Sequence, residues 1–304
     1  MRLAVTGATG TVGRAFVERA IAAGHSLVLL GRSAPETLSE NCEWLDFNLN
    51  DPGSLPRDAL LEVQCAIHLA ASVAINPENK AEATGLWTTN VLGTGHLIEA
   101  LGNAGVPHFV MASSANIYDP TLDMADETTP IRPQSRTLYL SSKAAQEAYA
   151  RELCRELGIG CAVLRISSVI GTGNDIASKF LEMTLAGKTI TLSNPEFGAD
   201  FVALDDVAEG LLISAQKGLE GDFNLSSGER NTLEDLAHMI AKVCAVPVRI
   251  NESGPDGALD KGFPAIDCAK LAEHGYNPTA LPDVIADMKA ALTKKEIQHE
   301  GICS

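Results

Sequence analysis

The sequence predicts an α/β protein with a doubly wound parallel sheet and a smaller lobe on its C-terminal side. Three observations predict this fold class. Short apolar runs alternate with helix-like stretches as far as Gly171, which is typical of parallel strands joined by helical crossovers. The first run, Leu3 to Thr6, leads directly into a glycine-rich turn. The chain has 304 residues, of which 45% are hydrophobic, so it can bury a core large enough for such a sheet.

Six apolar runs have the length and composition of strands. They are Leu3 to Thr6, Ser26 to Leu30, Glu43 to Asp46, Cys65 to Leu69, His108 to Ser113 and Gly160 to Ile166. The stretches from about Lys80 to Gly102 and from about Leu138 to Leu157 are helix-like and carry apolar residues on more than one side. Beyond Gly171, glycine and proline interrupt the pattern more often, which indicates a separate, smaller lobe.

The turn after the first predicted strand has the spacing G-x-x-G-x-x-G and is followed by an amphipathic stretch. In this order of strand, turn and helix, backbone amides can approach a pyrophosphate closely, and the positive end of the helix dipole favours the anion. A glycine-rich turn alone could be purely structural, but its place after an N-terminal strand favours a Rossmann-type dinucleotide site. We therefore predict cofactor contacts from Gly7, Gly10, Thr11, Val12 and Gly13.

Tyr139 and Lys143 are four residues apart, a spacing that places two side chains on one face of a helix. An ammonium beside a phenol favours the phenolate, so we expect the pKa of Tyr139 to fall below its usual value of about 10. Such a phenol can act as a general acid or base. The same spacing occurs by chance in exposed helices. It indicates a catalytic pair only in combination with the glycine-rich turn.

With both motifs present, the sequence resembles the short-chain dehydrogenase/reductase superfamily, and within it the extended NAD-dependent epimerase/dehydratase family. The matching segments are Thr6 to Gly10, His68 to Ala71, Asn90, Ser113 to Tyr118, Tyr139 with Lys143, Leu164 to Gly171, and Phe201 to Val207. The resemblance implies a dinucleotide-binding domain at 1–171 with later segments crossing back to it, a substrate-binding lobe at 172–293 and a flexible tail at 294–304. It also implies a homodimer through the two long helical stretches, which otherwise would simply cover the sheet.

The resemblance assigns further residues to the cofactor: Asp46, Phe47, Leu69, Ala70, Ala71, Asn90, Tyr139, Lys143 and Ile166. Asn90 is a poor helix former inside a predicted helix, which favours a buried hydrogen-bonding role. Arg32 and Ser33 follow the second predicted strand, where an acidic residue would otherwise take the ribose hydroxyls. A guanidinium with a neighbouring hydroxyl can bind a 2′-phosphate. We therefore expect NADP to be favoured over NAD, although Arg32 could instead be a solvated arginine beside the adenine.

The resemblance implies a catalytic set of Ser114, Tyr139 and Lys143. Tyr139 would exchange a proton with the substrate oxygen and Ser114 would hydrogen-bond that oxygen. Lys143 would lower the phenol pKa and bind the nicotinamide ribose. Ser113 is expected to hydrogen-bond at the strand end. Substrate contacts are predicted for Ser72, Ser114, Asn116 and Ser168, within a pocket that would also take in 73–76, Ile117 and 174–180.

Two departures from the family pattern restrict the reaction. Ala115 and Asn116 replace the Asp-Glu pair of the sugar dehydratases, so the acid and base of elimination are missing. Ala199 stands where many relatives carry an arginine for the substrate diphosphate. Replacement cations would have to come from Lys188, Arg230, Arg249 or Lys261.

These observations leave three functional hypotheses. The leading one is a nucleotide-sugar 4-epimerase or 4-keto reductase. The absence of the family arginine favours an alternative, an NADPH-dependent reductase of a smaller ketone or aldehyde. A non-enzymatic dinucleotide sensor is a third possibility, but a sensor need not keep Ser114, Tyr139 and Lys143 together.

Composition excludes several classes of partner. The formal net charge of −16 opposes general attraction to nucleic acid or anionic membranes. Seven cysteines form no C-x-x-C pair and seven histidines form no ligand cluster, so we expect reduced thiols and no metal site. No apolar run approaches the length that spans a bilayer, and the first residues read as a strand, not a signal peptide. We therefore expect a cytoplasmic protein that binds neither nucleic acid nor membrane.

Overall fold

The computed structural model describes residues 1–51, 53, 55, 57–73, 80–132, 137–252 and 260–302. The strands of this part are β1 (Arg2–Thr6), β2 (Ser26–Gly31), β3 (Cys42–Asp46), β4 (Cys65–His68), β5 (His108–Ser114), β6 (Met124–Ala125), β7 (Gly160–Ile166), β8 (Ser168–Ile170), β9 (Thr189–Leu192), β10 (Gly198–Ala203), β11 (Gly221–Leu225), β12 (Arg230–Thr232), β13 (Arg249–Glu252) and β14 (Ala265–Ile266). The α-helices are α1 (Thr11–Ala22), α2 (Lys80–Trp87), α3 (Gly93–Ala104), α4 (Leu138–Leu157), α5 (Ile176–Leu185), α6 (Leu204–Lys217), α7 (Leu233–Cys244), α8 (Ala269–Ala272) and α9 (Leu281–Ile302).

Seven parallel strands form the main sheet in the order β11-β7-β5-β4-β1-β2-β3. The six strands predicted from sequence are all present, and each agrees with the prediction to within one residue at either end. The doubly wound Rossmann-type fold is thereby confirmed. The chain builds β1, β2 and β3 toward one edge of the sheet and then returns to place β4 on the other side of β1.

Helices cover both faces of this sheet. One apolar core joins β1, β4 and β7 to α1 and α6, with Phe16 and Leu211 fully buried. The other joins the opposite face to α3 and α4, where Leu97 and Ala150 are fully buried. The predicted helix from Lys80 to Gly102 is in fact α2 and α3 joined by a π-helical segment, Thr88–Leu92. Single π turns of this kind often occur at functional sites.

The later part of the chain forms a third apolar core and also returns to the main sheet. Strand β10 pairs with β8 and β12 in a small sheet, and a separate apolar core packs α5, α7 and α9 around it. Helix α6 then lies on the first core, and β11 becomes the edge strand beside β7. Helix α9 extends to Ile302, into the segment 294–304 that was predicted to be a flexible tail.

Candidate active site

A groove of about 470 Å³ lies at the carboxyl ends of β1, β2 and β4. It is lined by Thr6, Gly7, Ala8, Thr9, Gly10, Leu29, Leu30, Gly31, Arg32, Ser33, Pro35, Phe47, Asn48, Leu49, Asn50, Leu69, Ala70, Ala71, Ser72 and Thr89. The strand order reverses between β1 and β4, so the loops that follow these strands diverge and leave a crevice. In open parallel sheets such a crevice is the usual binding place for a nucleotide.

The backbone of the glycine-rich turn packs too closely to accept side chains at two of its glycines. Gly7 has φ +74°, and a Cβ atom there would lie 2.6 Å from the Ala70 nitrogen. A Cβ atom on Gly13 would lie 2.0 Å from the Gly7 carbonyl oxygen, so the turn can close only with glycine at both positions. Helix α1 begins at Thr11; its N-cap residue, Gly10, provides no side-chain cap, and its first turn has no acidic residue. Its amide groups therefore suit an anionic ligand.

The groove contains many of the predicted cofactor residues, but not all of them. Those that line it are Gly7, Gly10, Arg32, Ser33, Phe47, Leu69, Ala70 and Ala71, together with the predicted substrate residue Ser72. The predicted residues outside this lining are Thr11, Val12, Gly13, Asp46, Asn90, Tyr139, Lys143 and Ile166. Sequence reasoning missed Asn48, Asn50 and Thr89. The two asparagines lie within four residues of the end of β3, and polar residues close to a strand end could have drawn attention to them.

Lys143 ties the start of α4 to the end of β5. Helix α4 is capped by Thr137, whose hydroxyl accepts from the Leu140 amide at 3.4 Å, so Tyr139 lies in the first turn and Lys143 in the second. Lys143 is 3% exposed, and its Nζ donates to the Ala112 carbonyl at 2.7 Å. Two residues later β5 ends at Ser114, whose hydroxyl accepts from the Asn116 amide at 3.3 Å. The three predicted catalytic residues therefore belong to two elements that are bonded to each other.

Asn90 joins these elements to the rim of the groove. It is fully buried in the π-helical segment. Its Oδ1 accepts from the Ser72 amide at 2.7 Å, and its Nδ2 donates to the Ser72 carbonyl at 3.0 Å and to Ser142 Oγ at 2.9 Å. Ser142 Oγ in turn donates to the Tyr139 carbonyl at 2.7 Å. The buried hydrogen-bonding role expected for Asn90 is thus confirmed, and its partners connect the groove to α4.

The direction of the Tyr139 pKa shift differs from the one predicted from the sequence. Burial raises the pKa of the Tyr139 phenol, whereas a lowered value was expected from Lys143. The Lys143 ammonium instead bonds to Ala112 and to the side chain of Gln146. Burial lowers the pKa of Lys143 to about 8, opposed by the nearby Glu147 carboxylate. The expected lowering of the phenol pKa was therefore wrong for this arrangement, because desolvation disfavours the charged phenolate.

The predicted substrate residues lie on separate elements. Ser114 and Asn116 lie at the end of β5 and in the turn after it, and Ser168 begins β8, paired with Phe201 of β10. Ser113 is 6% exposed, and its hydroxyl has no hydrogen-bond partner among the described residues, so its predicted bonding role is corrected. Of the predicted pocket segments, 174–180 includes the first residues of α5, and 74–76 lie outside the described residues.

The small lobe offers no cation at the position of the missing arginine. Ala199 is 3% exposed within the core of the lobe. Arg230 donates its Nε to the Phe263 carbonyl at 3.0 Å and its Nη2 to the Glu196 carbonyl at 3.1 Å, so it holds loops together. Lys188, Arg249 and Lys261 are exposed. Next to Ala199, the buried Asp200 carboxylate accepts from Ser167, Ser227, Gly228 and Ile266, a structural role that sequence reasoning missed.

Several other predictions concern absences. Among the described residues, no three His, Cys, Asp or Glu side chains converge as a metal site would require. The cysteines at 42, 65, 154, 161, 244 and 268 are unpaired, and Cys303 lies outside the described residues. No helix in the described ranges has the length and apolar character needed to cross a bilayer.

Comparison with known proteins places these features in context. Residues 3–226 match the sequence model of the NAD dependent epimerase/dehydratase family. A dTDP-6-deoxy-L-talose 4-dehydrogenase (NAD(P)(+)) of Kitasatospora kifunensis is 30% identical over 276 residues, covering 84% of this chain and 83% of that protein. A UDP-glucose 4-epimerase of Mycolicibacterium smegmatis is 28% identical over 265 residues, covering 81% of this chain and 84% of that protein. The structure of a UDP-glucose 4-epimerase from Thermus thermophilus in complex with NAD superposes with a TM-score of 0.77 at 26% identity, covering 94% of this chain and 97% of that one.

Proposed function

The chain belongs to the NAD dependent epimerase/dehydratase family of extended short-chain dehydrogenase/reductase enzymes, and we propose that it transfers a hydride at a sugar carbon of a nucleotide sugar. The reaction would be a 4-epimerisation or a 4-keto reduction. One observation carries the proposal: the bond from Lys143 Nζ to the Ala112 carbonyl sets α4, with Tyr139 and Lys143, beside the strand that ends at Ser114. Asn90 joins this pair of elements to the groove.

The groove fits a dinucleotide, with the glycine-rich turn and the start of α1 around the pyrophosphate. The nicotinamide ring supplies or accepts the hydride when the cofactor is bound. Ser114 would then hydrogen-bond the substrate oxygen, and Tyr139 would exchange a proton with it. Because burial raises the pKa of Tyr139, the phenol is protonated at neutral pH and suited to donate to a carbonyl oxygen. The lobe formed by 172–293 would hold the rest of the substrate.

We further propose that the cofactor is NADP in preference to NAD. Arg32 and Ser33 line the groove directly after β2, and both are exposed to a ligand. A second arginine, Arg14, lines an adjoining cavity that shares Thr9 and Ser33 with the groove. Cationic side chains on this side of the groove would attract a 2′-phosphate.

Replacing Arg32 with aspartate should reverse the cofactor preference. The affinity for NADP is expected to fall by roughly ten- to a hundredfold, as for the loss of a charge-assisted hydrogen bond. The affinity for NAD should be kept or increased, because a carboxylate can accept from the ribose hydroxyls. Dissociation constants measured by fluorescence titration check this. Lys217→Asp, which makes the same charge change at the exposed end of α6, should leave both constants unaltered. Equal NADP binding by wild type and Arg32→Asp would contradict the assignment.

A smaller ketone or aldehyde is the second candidate substrate, and one observation favours it. A diphosphate usually needs cationic partners, yet Ala199 is buried and Arg230 is bonded to backbone carbonyls. A nucleotide sugar would then have to bind through other groups of the lobe.

Thermal shift measurements with NAD, NADP, UDP and dTDP distinguish the two candidates, because a ligand that binds the native state raises its melting temperature. Stabilisation by UDP or dTDP beyond that given by the dinucleotide, together with turnover of the corresponding sugar, would support the nucleotide-sugar proposal. Stabilisation by NADP alone would favour the small-carbonyl reductase. If neither dinucleotide stabilised the protein, both proposals would be rejected.

We also propose a homodimer through α2, α3 and α4. Large apolar side chains on this side are exposed, namely Trp87, Leu92, Tyr149 and Leu157. The helices pack closely beneath them, since a Cβ atom on Gly95 would lie 2.5 Å from the Tyr149 ring. Several large apolar side chains exposed on adjoining helices are typical of a protein interface.

Trp87→Glu should convert the dimer to a monomer, because it would bury a charge in the interface. Light scattering after size exclusion is expected to show half the wild-type mass. Leu185→Glu, at a similarly exposed position on α5, is the matched control and should keep the wild-type mass. A Trp87→Glu protein that keeps the wild-type mass would contradict this interface.

A further inference from the structure

The side chain of Gln146 bridges the Lys143 ammonium and a buried hydroxyl. Gln146 is fully buried on α4, close to one turn after Lys143. Its Oε1 accepts a hydrogen bond from Lys143 Nζ, and its Nε2 donates to Thr94 Oγ1 at 2.7 Å. The amide therefore connects Lys143 to α3, which carries Thr94.

Thr94 determines the orientation of the Gln146 amide. Thr94 Oγ1 gives its single proton to the Asn90 carbonyl at 2.7 Å, since a carbonyl can only accept. The hydroxyl oxygen is then restricted to accepting. Gln146 must present its NH₂ group to Thr94, which leaves its carbonyl oxygen for an ammonium that has only donors.

His68 extends the chain of hydrogen bonds to the groove. Its Nε2 lies 2.9 Å from Thr94 Oγ1 and must carry the proton, because Thr94 has none left to donate. Its Nδ1 then accepts from Thr6 Oγ1 at 2.7 Å, and Thr6 Oγ1 accepts from the Ala70 amide at 3.3 Å. Burial lowers the pKa of His68 to about 3, so the ring stays neutral and keeps this tautomer. Thr6 directly precedes Gly7, so the chain ends at the glycine-rich turn.

We propose that Gln146 is a positioning residue that, held by Thr94, fixes the Lys143 ammonium beside the end of β5 and links it to the glycine-rich turn. This inference rests on the proposed role of Lys143 in hydride transfer. The hydrogen bonds of Thr94, His68 and Thr6 permit one assignment of donors and acceptors, and that assignment turns the Gln146 carbonyl oxygen toward the ammonium. Without the Gln146 amide, the Ala112 carbonyl would be the remaining acceptor recorded for the ammonium among the described residues.

Three titratable groups lie on the elements around Lys143. Glu147 on α4 favours the ammonium, and His68 on β4 is neutral. Tyr139 lies one turn earlier on α4, with its phenol protonated. Burial is the largest effect and opposes the charge, so hydrogen bonds from the ammonium to Ala112 and Gln146 must offset it.

Titration of Lys143 by NMR tests the role of Gln146 directly. Lysine labelled with carbon-13 would be followed against pH, and Lys143→Arg would identify the Lys143 signal. Gln146→Leu should lower the Lys143 pKa by about one pH unit or more, as expected for losing a hydrogen bond to a charged group. Gln146→Glu should raise it, because a carboxylate favours the ammonium. The alkaline limb of kcat/KM should move in the same directions.

The controls separate a positioning role from a structural one. Gln216→Leu is a matched control, because the Gln216 amide hydrogen-bonds His25 and neither residue contributes to the hydrogen-bond chain around Lys143. This variant should leave the Lys143 titration unchanged. One Lys143 pKa common to wild type and both Gln146 variants would overturn the inference. The titration does not require turnover, so shifted pKa values in a protein without hydride-transfer activity would support the positioning role and reject the proposed function. If Gln146→Leu fails to fold, the predicted rise of the Lys143 pKa in Gln146→Glu remains as the test of the inference.

Discussion

Tyr139→Phe is expected to lower kcat for hydride transfer by roughly a hundred- to ten thousandfold, the usual contribution of a general acid or base. The substitution removes the hydroxyl that would exchange a proton with the substrate oxygen and keeps the ring in its half-buried place. Dinucleotide affinity should be retained, because the groove is lined by residues of the turns after β1, β2 and β4. Steady-state kinetics and a dinucleotide titration on the same preparation measure the two effects separately.

Tyr149→Phe is the matched control for this experiment. Tyr149 lies on the same helix and is 42% exposed, so removing its hydroxyl should leave kcat within error of the wild-type value. Full turnover by Tyr139→Phe would show that the assignment of Ser114, Tyr139 and Lys143 is wrong.

Arg165→Met should lower the free energy of unfolding by about 3 to 5 kcal/mol, the cost of leaving a buried charge without its partner. Arg165 on β7 is 2% exposed. It donates to Glu147 at 2.9 Å, to Asp222 at 2.8 Å and to the Tyr118 hydroxyl at 2.8 Å. Glu147 is fully buried, and Arg151 would be its remaining ion-pair partner in the described part of the chain. Denaturant unfolding of the cofactor-free protein measures the loss.

The double variant Arg165→Met/Glu147→Leu provides the internal check. Because both charges are removed together, it should be more stable than Arg165→Met alone. Arg155→Met is the matched surface control: its ion pair with Glu152 on the same helix is exposed, and its removal should not change the unfolding midpoint measurably. Equal loss of stability in the single and double variants would show that packing, and not the unpaired carboxylate, is responsible.

Much of the dinucleotide groove could be predicted from local sequence. Turn chemistry specifies glycine at positions 7 and 13, since the backbone there leaves no space for a side chain, and this requirement can be read from the residues alone. The polar residues after β2 were found for the same reason, since a strand end in a parallel sheet faces the ligand. Asn48 and Asn50 were missed although they lie shortly after β3, and Thr89 was missed because nothing in its local sequence indicates that the π-helical segment reaches the groove.

The environment of Tyr139 and Lys143, the proposed catalytic pair, could not be predicted in this way. The spacing of Tyr139 and Lys143 indicates a shared helix face, but the direction of a pKa shift depends on how deeply each group is buried. In the folded protein, burial raises the pKa of the phenol and the ammonium bonds to Ala112 and Gln146. Sequence reasoning weighed the attraction between the two groups and had no measure of their desolvation.

The sequence by itself determined the family, the order of the strands along the chain and the glycine-rich turn, because each depends on residues that are neighbours in the chain. The tertiary structure decided which distant polar groups meet. Thr6, His68, Thr94 and Gln146 lie on four elements, and Arg165 meets Glu147 and Tyr118 only after β5, β7 and α4 pack together. Buried polar groups must find partners wherever the fold places them, and that placement follows from sheet order and helix packing, which no local pattern contains.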